Sequence, residues 1–467
     1  MNNKYGIIHP NGYNFDFSRP EAAEDQVVHE YFVDDEAVPR CFGQSLEPLL
    51  ADLIDLALSV YLTDRLALRR DPKYQGHAHQ WCRQIRLRVP VRCWEQWARP
   101  SVHRSLHDLL FFMTEDVWQV DFVPFEGSRR SAERQAFLFP AQLSKPIHVA
   151  LYSGGLDSFS GAFQHLSDST DGSFVLVSGS SNTRQRVGQR QQVRAISKFS
   201  ESVINHVIVP FGLERAGGEQ KEEKSQRSRG FLFLSLGVAT AVSAGVRQMK
   251  LYENGIGAIN LPFDGTQLGT FNSRAAHPVS LLRMERFVSL LIDSPFQIYN
   301  PFLFCTKTEM CHHPRVDDVG QIIRKTFSCD SFPLHVKDKP QCGSCTSCLL
   351  RRMSLESAGL SRFDPSEGYL RDLLSPSYSG HAKGLRGLRV MEWQAMKLGL
   401  VLTASHPWKS LSQEFPELQR ILSELSMHVP ADSIRLQEQL LQLYSRYVSE
   451  WNQFSARERL KFCPRAA

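Results

Sequence analysis

Ile147–Gln164, IHVALYSGGLDSFSGAFQ, is the stretch whose reading decides the fold. Val149, Leu151 and their apolar neighbours read as a short buried strand, Ser153–Ser158 as a tight turn and Phe159–Leu166 as a helix. Gly154 and Gly155 remove the Cβ atoms that would keep a ligand away from the backbone. The helix that follows opens with unpaired N–H groups and the positive end of its dipole, and Ser153 and Ser158 add hydroxyl donors. The combination predicts an anion site at the end of a strand. It matches neither G-x-x-x-x-G-K-[ST] nor G-x-G-x-x-G, so the common mononucleotide and dinucleotide fingerprints do not apply.

Beyond this stretch, Phe174–Val177, His206–Val209 and Met249–Tyr252 are short apolar runs separated by helical segments. That alternation predicts an α/β fold, a parallel sheet with helices on both faces. Ligands of such sheets bind beyond the carboxyl ends of the strands, where the glycine turn lies. Ser178, at the end of the second strand, is placed to meet a nucleotide's ribose or base. The next helix carries Arg186, Arg190, Arg194 and Lys198 at four-residue steps, which stacks four cations on one face. A solvated face and an anion-facing stripe both fit that pattern. Leu213–Gly230 is charged and reads as a mobile loop leading to Arg229, at the entrance of an apolar helix. Arg229 could hold a phosphate bidentately. Asn254 and Gly255 close the following strand and, with Asn272, Arg274 and His277 of the irregular segment after them, are candidate contacts to a second substrate; loop geometry alone also explains the last three.

Cys329, Cys342, Cys345 and Cys348 form C-x12-C-x2-C-x2-C. Four thiolates suit a tetrahedral, structural Zn²⁺ with no open position, and an iron–sulfur cluster is the alternative. Cys311, His312 and His313 form no complete set. Cys82 and Cys93 flank a strand without making a metal site, and His77, His79 and His103 read as surface or core histidines.

The 467 residues are enough for two or three domains, and 42% hydrophobic with 22% charged residues fits a globular protein with a sizeable core. Residues 1–145 read as a separate α+β region, with an amphipathic helix over Leu46–Leu68 and strands over Gln84–Val91 and Val117–Val123. Residues 146–362 form the α/β domain. Residues 363–467 read as helical, over Leu385–Leu400, Leu411–Met427 and Ile434–Phe454. The N-terminus has no secretory pattern, and Phe231–Val246 is too short and too polar to span a bilayer. With ten cysteines this predicts a reducing, cytoplasmic setting and no membrane. A net charge of +5 permits nucleic-acid contact without arguing for it.

S-G-G-x-D-S directly after a strand resembles the pyrophosphate loop of the PP-loop ATP pyrophosphatases, whose sheet is Rossmann-like. With the four cysteines and Arg351 it resembles the 7-cyano-7-deazaguanine synthase, or QueC, family from about Val149 to Leu360. Ser228–Phe233 stands where that family has an Arg-containing helix entry, and Lys307-Thr308-Glu309 is similar to its lysine–acid pair. The resemblance implies ATP and Mg²⁺ beside the Zn²⁺. Ser153, Gly154, Gly155, Leu156, Asp157, Ser158 and Ser178 would bind ATP, and Asp157, Ser158, Arg229 and Lys307 would act in catalysis. It implies a ligase that adenylylates a deazapurine carboxylate, releases pyrophosphate and passes the acyl group to ammonia or a protein amine. The sequence departs from the family in its N- and C-terminal additions, in Ser178–Arg186 and in Asn272-Ser273-Arg274. The long form is similar to QatC-type proteins of bacterial antiviral defence, which implies partner proteins. Two alternatives stand beside this reading, a tRNA- or nucleobase-modifying enzyme and a non-enzymatic nucleotide-sensing scaffold.

Overall fold

The computed structural model describes residues 3–8, 14–19, 27–69, 82–134, 136–137, 139–169, 171–214, 222–223, 225–262, 274–313, 316–332, 336, 339–373, 385–428 and 433–462. Its strands are β1 (Asn3–Ile8), β2 (Asn14–Arg19), β3 (Val27–Val33), β4 (Gln84–Val91), β5 (Val117–Pro124), β6 (Ile147–Leu151), β7 (Ser173–Ser180), β8 (Val203–Glu214), β9 (Gln248–Lys250) and β10 (Gln297–Tyr299). They form one ten-stranded sheet in the order β10-β9-β6-β7-β8-β3-β1-β2-β4-β5. The five strands β10-β9-β6-β7-β8 are parallel, as the alternation of strands and helices requires. The glycine loop leaves the middle of these five.

β8 joins the two halves. Val203–Pro210 pairs in parallel with β7, and Phe211–Glu214 pairs antiparallel with β3. The N-terminal residues are α+β as expected, but they are not separate. They extend the same sheet and share its core, in which Leu53, Leu56 and Val60 are buried with Val175, Val177, Phe231 and Leu234. One sheet edge was available at β8, and pairing it removes an exposed row of N–H and C=O groups.

The helix expected over Leu46–Leu68 is Pro48–Leu66, and it is buried on nearly every side rather than amphipathic. Its aspartates are inside with their counter-charges. Asp52 and Asp55 meet Arg92 at 3.0 and 2.7 Å, Asp55 meets Arg130 at 2.8 Å, and Asp64 meets Arg83 at 2.5 Å. Acidic residues along one face suggest solvent in a sequence. Arginines from distant segments take that place here.

Helices cover both faces of the parallel strands. Leu156–Asp168 and Thr183–Ile196 bury Phe159, Phe163 and Val193 against Ala150 and Leu176 on one face. Arg229–Ser243, the apolar run of the sequence, packs on β6 and β7 from the other. Among the described residues no helix is long and apolar enough to cross a membrane. The C-terminal helices Arg386–Leu402, Pro407–Glu414, Pro416–His428 and Ser433–Phe462 bury Leu398, Leu418, Leu443 and Trp451 with Leu349, Met353 and Val279 of the α/β domain. Proline begins two of them, where a missing N–H costs nothing.

Candidate active site at the glycine loop

After β6 the Tyr152 N–H still donates to the Val177 carbonyl at 2.7 Å, so the loop starts from a fixed strand end. Gly154 turns with φ +85°, a conformation that a side chain disfavours. A Cβ there would lie 2.9 Å from the Phe327 ring. The Gly154 N–H donates to Ser158 Oγ at 3.1 Å and the Gly155 N–H to Ser153 Oγ at 3.2 Å, with the two hydroxyls 3.1 Å apart. Two backbone N–H groups and two hydroxyls thus converge where the Leu156–Asp168 helix begins. Here these groups pair with one another, the Ser158 hydroxyl also donating to Gly155 O at 3.1 Å, and donors at a helix N-terminus are of the kind that anionic oxygens take.

The loop's carbonyls are held from behind. Gln189 Nε2 donates to Ser153 O at 2.9 Å, and Gln192 Nε2 donates to Gly154 O at 3.1 Å and Lys325 O at 2.8 Å. Tyr152 OH fixes Gln192 by donating to its Oε1 at 2.7 Å. Both glutamines are buried on the inner face of Thr183–Ile196, while Arg190, Arg194 and Lys198 are exposed on the outer side. Sequence reading singled out the cations of this stretch and missed the glutamines, whose i, i+3 spacing was the available signal.

Asp157 and Ser158 are buried, at 8% and 5% exposure, so the turn is not the exposed feature its composition suggests. One Asp157 oxygen forms an ion pair with the buried Lys307 ammonium, and the other accepts from Asn254 Nδ2 at 2.9 Å. The same Asn254 nitrogen donates to Glu253 Oε1 at 3.1 Å. Burial by itself would lower the Lys307 pKa, but Asp157 and Glu253 hold it above the usual lysine value. Burial and the Asp157 charge push the Glu253 carboxyl up to about 8, with Lys307 pulling back. Two carboxylates around one ammonium cannot both be ionised cheaply, which favours the neutral form of Glu253. Glu253 went unnamed among the site residues, although it stands beside Asn254 at a strand's carboxyl end.

Lys307 opens the short Lys307–Cys311 helix, capped by a Thr306–Glu309 capping box. The last helix of the chain braces that turn. Thr306 and Thr308 hydroxyls donate to Glu450 at 2.6 and 2.7 Å, and Arg446 meets Glu309 at 3.0 Å. The C-terminal region therefore contributes to the position of Lys307.

The Sγ atoms of Cys329, Cys342, Cys345 and Cys348 lie within 4.8 Å of one another. Cys342 and Cys348 sulfurs are 3.9 Å apart, close to the tetrahedral edge of about 3.8 Å implied by Zn–S bonds of about 2.3 Å. Backbone N–H groups of Cys342, Ser344, Cys345 and Cys348 point at the sulfurs from 3.3 to 3.5 Å, as thiolates require. The donors fit one Zn²⁺. The thiolates of a cluster would sit on separate irons and stand farther apart. Gly343 makes the knuckle with φ +80°. The cysteine segment reaches the glycine loop directly, because Phe327 stacks on Phe332 at 4.1 Å and donates its N–H to Gly154 O at 3.3 Å. Arg351 fixes the same turn through Asp364 at 2.9 Å, Thr326 Oγ1 at 2.7 Å and Ile323 O at 2.8 Å.

Other expected contacts are committed elsewhere. Ser178 is buried inside β7, and its hydroxyl donates to Tyr152 O at 2.5 Å and meets His206 Nε2 at 2.8 Å, so it braces the strand end instead of facing a nucleotide. The Gly255 N–H donates to Cys305 O at 2.8 Å, and a Cβ at Gly255 would strike Leu303 O. Asn254 caps the helix Gly255–Ile259 as well as holding Asp157. Arg274 donates to Phe112 O at 2.7 Å and pairs with Glu115 at 3.1 Å, while His277 caps Pro278–Leu291 and meets Glu417 at 3.2 Å. Both join the N-terminal and C-terminal regions to the α/β domain. Asn272, His77, His79 and most of the segment between Glu214 and Ser225 lie outside the described residues. Arg229 stands at the N-terminal end of its helix, over the Phe233 ring at 5.0 Å.

No curated protein matches the chain. Residues 147–359 match the family model described as queuosine biosynthesis protein QueC. This span holds the glycine loop, Lys307 and all four cysteines. Residues 147–359 are thus similar to the QueC family, and their parallel sheet and glycine loop have the PP-loop fold.

Proposed function

We propose that the chain is an ATP-dependent ligase that cleaves ATP between the α- and β-phosphates. The observation that carries this reading is the convergence of the Gly154 and Gly155 N–H groups with the Ser153 and Ser158 hydroxyls beside the buried Lys307. A substrate carboxylate oxygen attacks the α-phosphorus, the bond to the bridging oxygen breaks, and pyrophosphate leaves. Carboxylates are poor electrophiles, and the acyl-adenylate supplies the leaving group they lack. An amine then attacks the acyl carbon, loses a proton and releases AMP. The chain's work is positioning and charge stabilisation. The loop donors hold the departing pyrophosphate, Lys307 and Arg229 face developing negative charge, and Asp157 braces the loop, since both its oxygens have partners. Mg²⁺ accompanies ATP in such chemistry.

The QueC match supports a deazapurine carboxylate such as 7-carboxy-7-deazaguanine as the acyl substrate. Transfer to a protein amine and a role in bacterial antiviral defence rest on the long form of the chain, with its regions on either side of the QueC span. One observation favours the RNA-modifying alternative, the exposed row of Arg190, Arg194 and Lys198. Chromatography of the nucleotide products decides between reactions. AMP and pyrophosphate should form with ATP, Mg²⁺ and the carboxylate, and Ser158→Ala should lower the rate by roughly 10²–10³-fold. ADP as the main product would end the ligase reading.

A further inference from the structure

The buried arginines described in the N-terminal half are neutralised, and the half-buried Arg229 is not. Arg69 pairs with Asp116 at 2.7 Å, Arg83 with Asp64 and Asp116 at 2.5 Å, Arg92 with Asp55 at 2.7 Å, Arg130 with Asp35 at 2.7 Å and Arg227 with Glu115 at 2.8 Å. Arg229 has no ion pair or side-chain hydrogen bond with any described residue, and its Nε is buried without a partner. A guanidinium with its Nε out of water normally finds a counter-charge, and no described residue supplies one for Arg229.

Its neighbours make the need larger. The Pro48–Leu66 helix packs along Arg229–Ser243 and brings Tyr61 and Arg65 to the guanidinium. Arg65 spends one edge on Glu222 and lies 3.4 Å from Tyr61 OH, but its Nε is also buried without a partner. The two guanidiniums, with Glu222 as the one described counter-charge, sit together over an aromatic floor, in which Tyr61 meets Phe211 at 5.6 Å and Phe211 meets Phe233 at 6.3 Å. The place is at the loop's end of the sheet, on the face opposite the Leu156–Asp168 helix. Phe233 packs on Gly179, where a Cβ would come within 2.5 Å of the ring. Leu151 pairs with Val177, so Gly179 stands beside Ser153 at the carboxyl ends of β7 and β6.

We propose that Arg229 and Arg65 form an oxyanion subsite that holds the carboxylate of the acyl substrate next to the glycine loop, and that the N-terminal region completes the active site by supplying Arg65. This rests on the ligase reading for the identity of the anion. Arg229 comes from the QueC span and Arg65 from outside it, so the subsite is a property of the long chain.

Equilibrium binding tests it on the full chain, with 7-carboxy-7-deazaguanine, the same ring lacking the carboxylate, and ATP as three separate ligands. Wild type should prefer the carboxylated ring by roughly tenfold or more, as expected for a charge-assisted contact. Arg65→Gln should erase that preference and leave ATP affinity within about twofold. Arg229→Gln should do the same; Arg65 is partly exposed, so its variant serves if the other fails to fold. Absence of the preference in wild type, or its survival in Arg65→Gln, overturns the subsite. A parallel loss of ATP affinity also overturns it, because the anion would then be the triphosphate. Product analysis separates the two readings. Preference without AMP formation ends the ligase reading and keeps the subsite, whereas AMP formation with a preference untouched by Arg65→Gln does the reverse.

Discussion

Lys307→Met is the substitution whose consequence the structure fixes most tightly. The ammonium and the Asp157 carboxylate have side-chain exposures of 6% and 11%, so neither is screened by solvent. Methionine keeps the length and the packing of the lysine stem and removes only the charge. Asp157 then stays buried with Asn254 as its remaining partner, next to Glu253, and a buried ion pair that loses one member costs about 3–5 kcal/mol. The cost depends on pH in a definite direction. A carboxylate buried without its cation takes up a proton more readily in the folded state than in the unfolded one, so the deficit shrinks on acidification. Urea unfolding at pH 8 and pH 5.5 should show the larger loss at pH 8. Asp157→Asn with Lys307→Met removes both charges and should recover most of the stability. A Lys307→Met protein within about 1 kcal/mol of wild type at pH 8 would refute the reasoning, as would a double variant no more stable than the single one.

Three further outcomes follow from other parts of the site. The Glu253 carboxyl lies at about 8, above its unfolded value, so the stability of its neutral form is complete below the unfolded pKa and is lost as pH rises through 8; Glu253→Gln should flatten unfolding midpoints measured from pH 5 to pH 9. Gly343→Ala adds a Cβ 1.8 Å from the Arg371 carbonyl at φ +80° and should release the metal, with elemental analysis reading about one zinc per wild-type chain and a fraction of that in the variant. Stoichiometric iron in the wild-type protein would reject the zinc assignment. Arg190 and Arg194 point away from the glutamines that hold the loop, so reversing both to Glu should abolish any association with RNA or an acidic partner in gel-shift and pull-down assays while ATP affinity is retained.

The chain's local chemistry was legible wherever a short segment had to solve its own problem. Ser153–Ser158 needs glycines to turn and hydroxyls to offer donors, and the turn is where the sequence put it. Gln84–Val91 alternates, and it is a strand with that span in the structure. The cysteine spacing brings four sulfurs together because it encodes a compact knuckle and the start of a helix. Errors arose where a residue's fate depends on segments far along the chain. Leu46–Leu68 reads as an amphipathic helix, yet its aspartates lie inside because Arg83, Arg92 and Arg130 arrive from other elements. Arg274 and His277 read as substrate contacts, and Glu115 and Glu417 take them instead.

By itself the sequence determined the parallel α/β core, the glycine loop at a strand end and the four-cysteine cluster, since each follows from periodicity or from spacing within a few residues. Tertiary structure alone decided that β8 fuses the N-terminal strands into one sheet, that Glu253 shares Lys307 with Asp157, and that Glu450 braces the lysine's turn from the far end of the chain. It also decided which arginine pairs with no carboxylate among the described residues. Counter-charges are assigned by proximity in space, and 164 residues separate Arg65 from Arg229 along the chain, a distance over which no local pattern carries information.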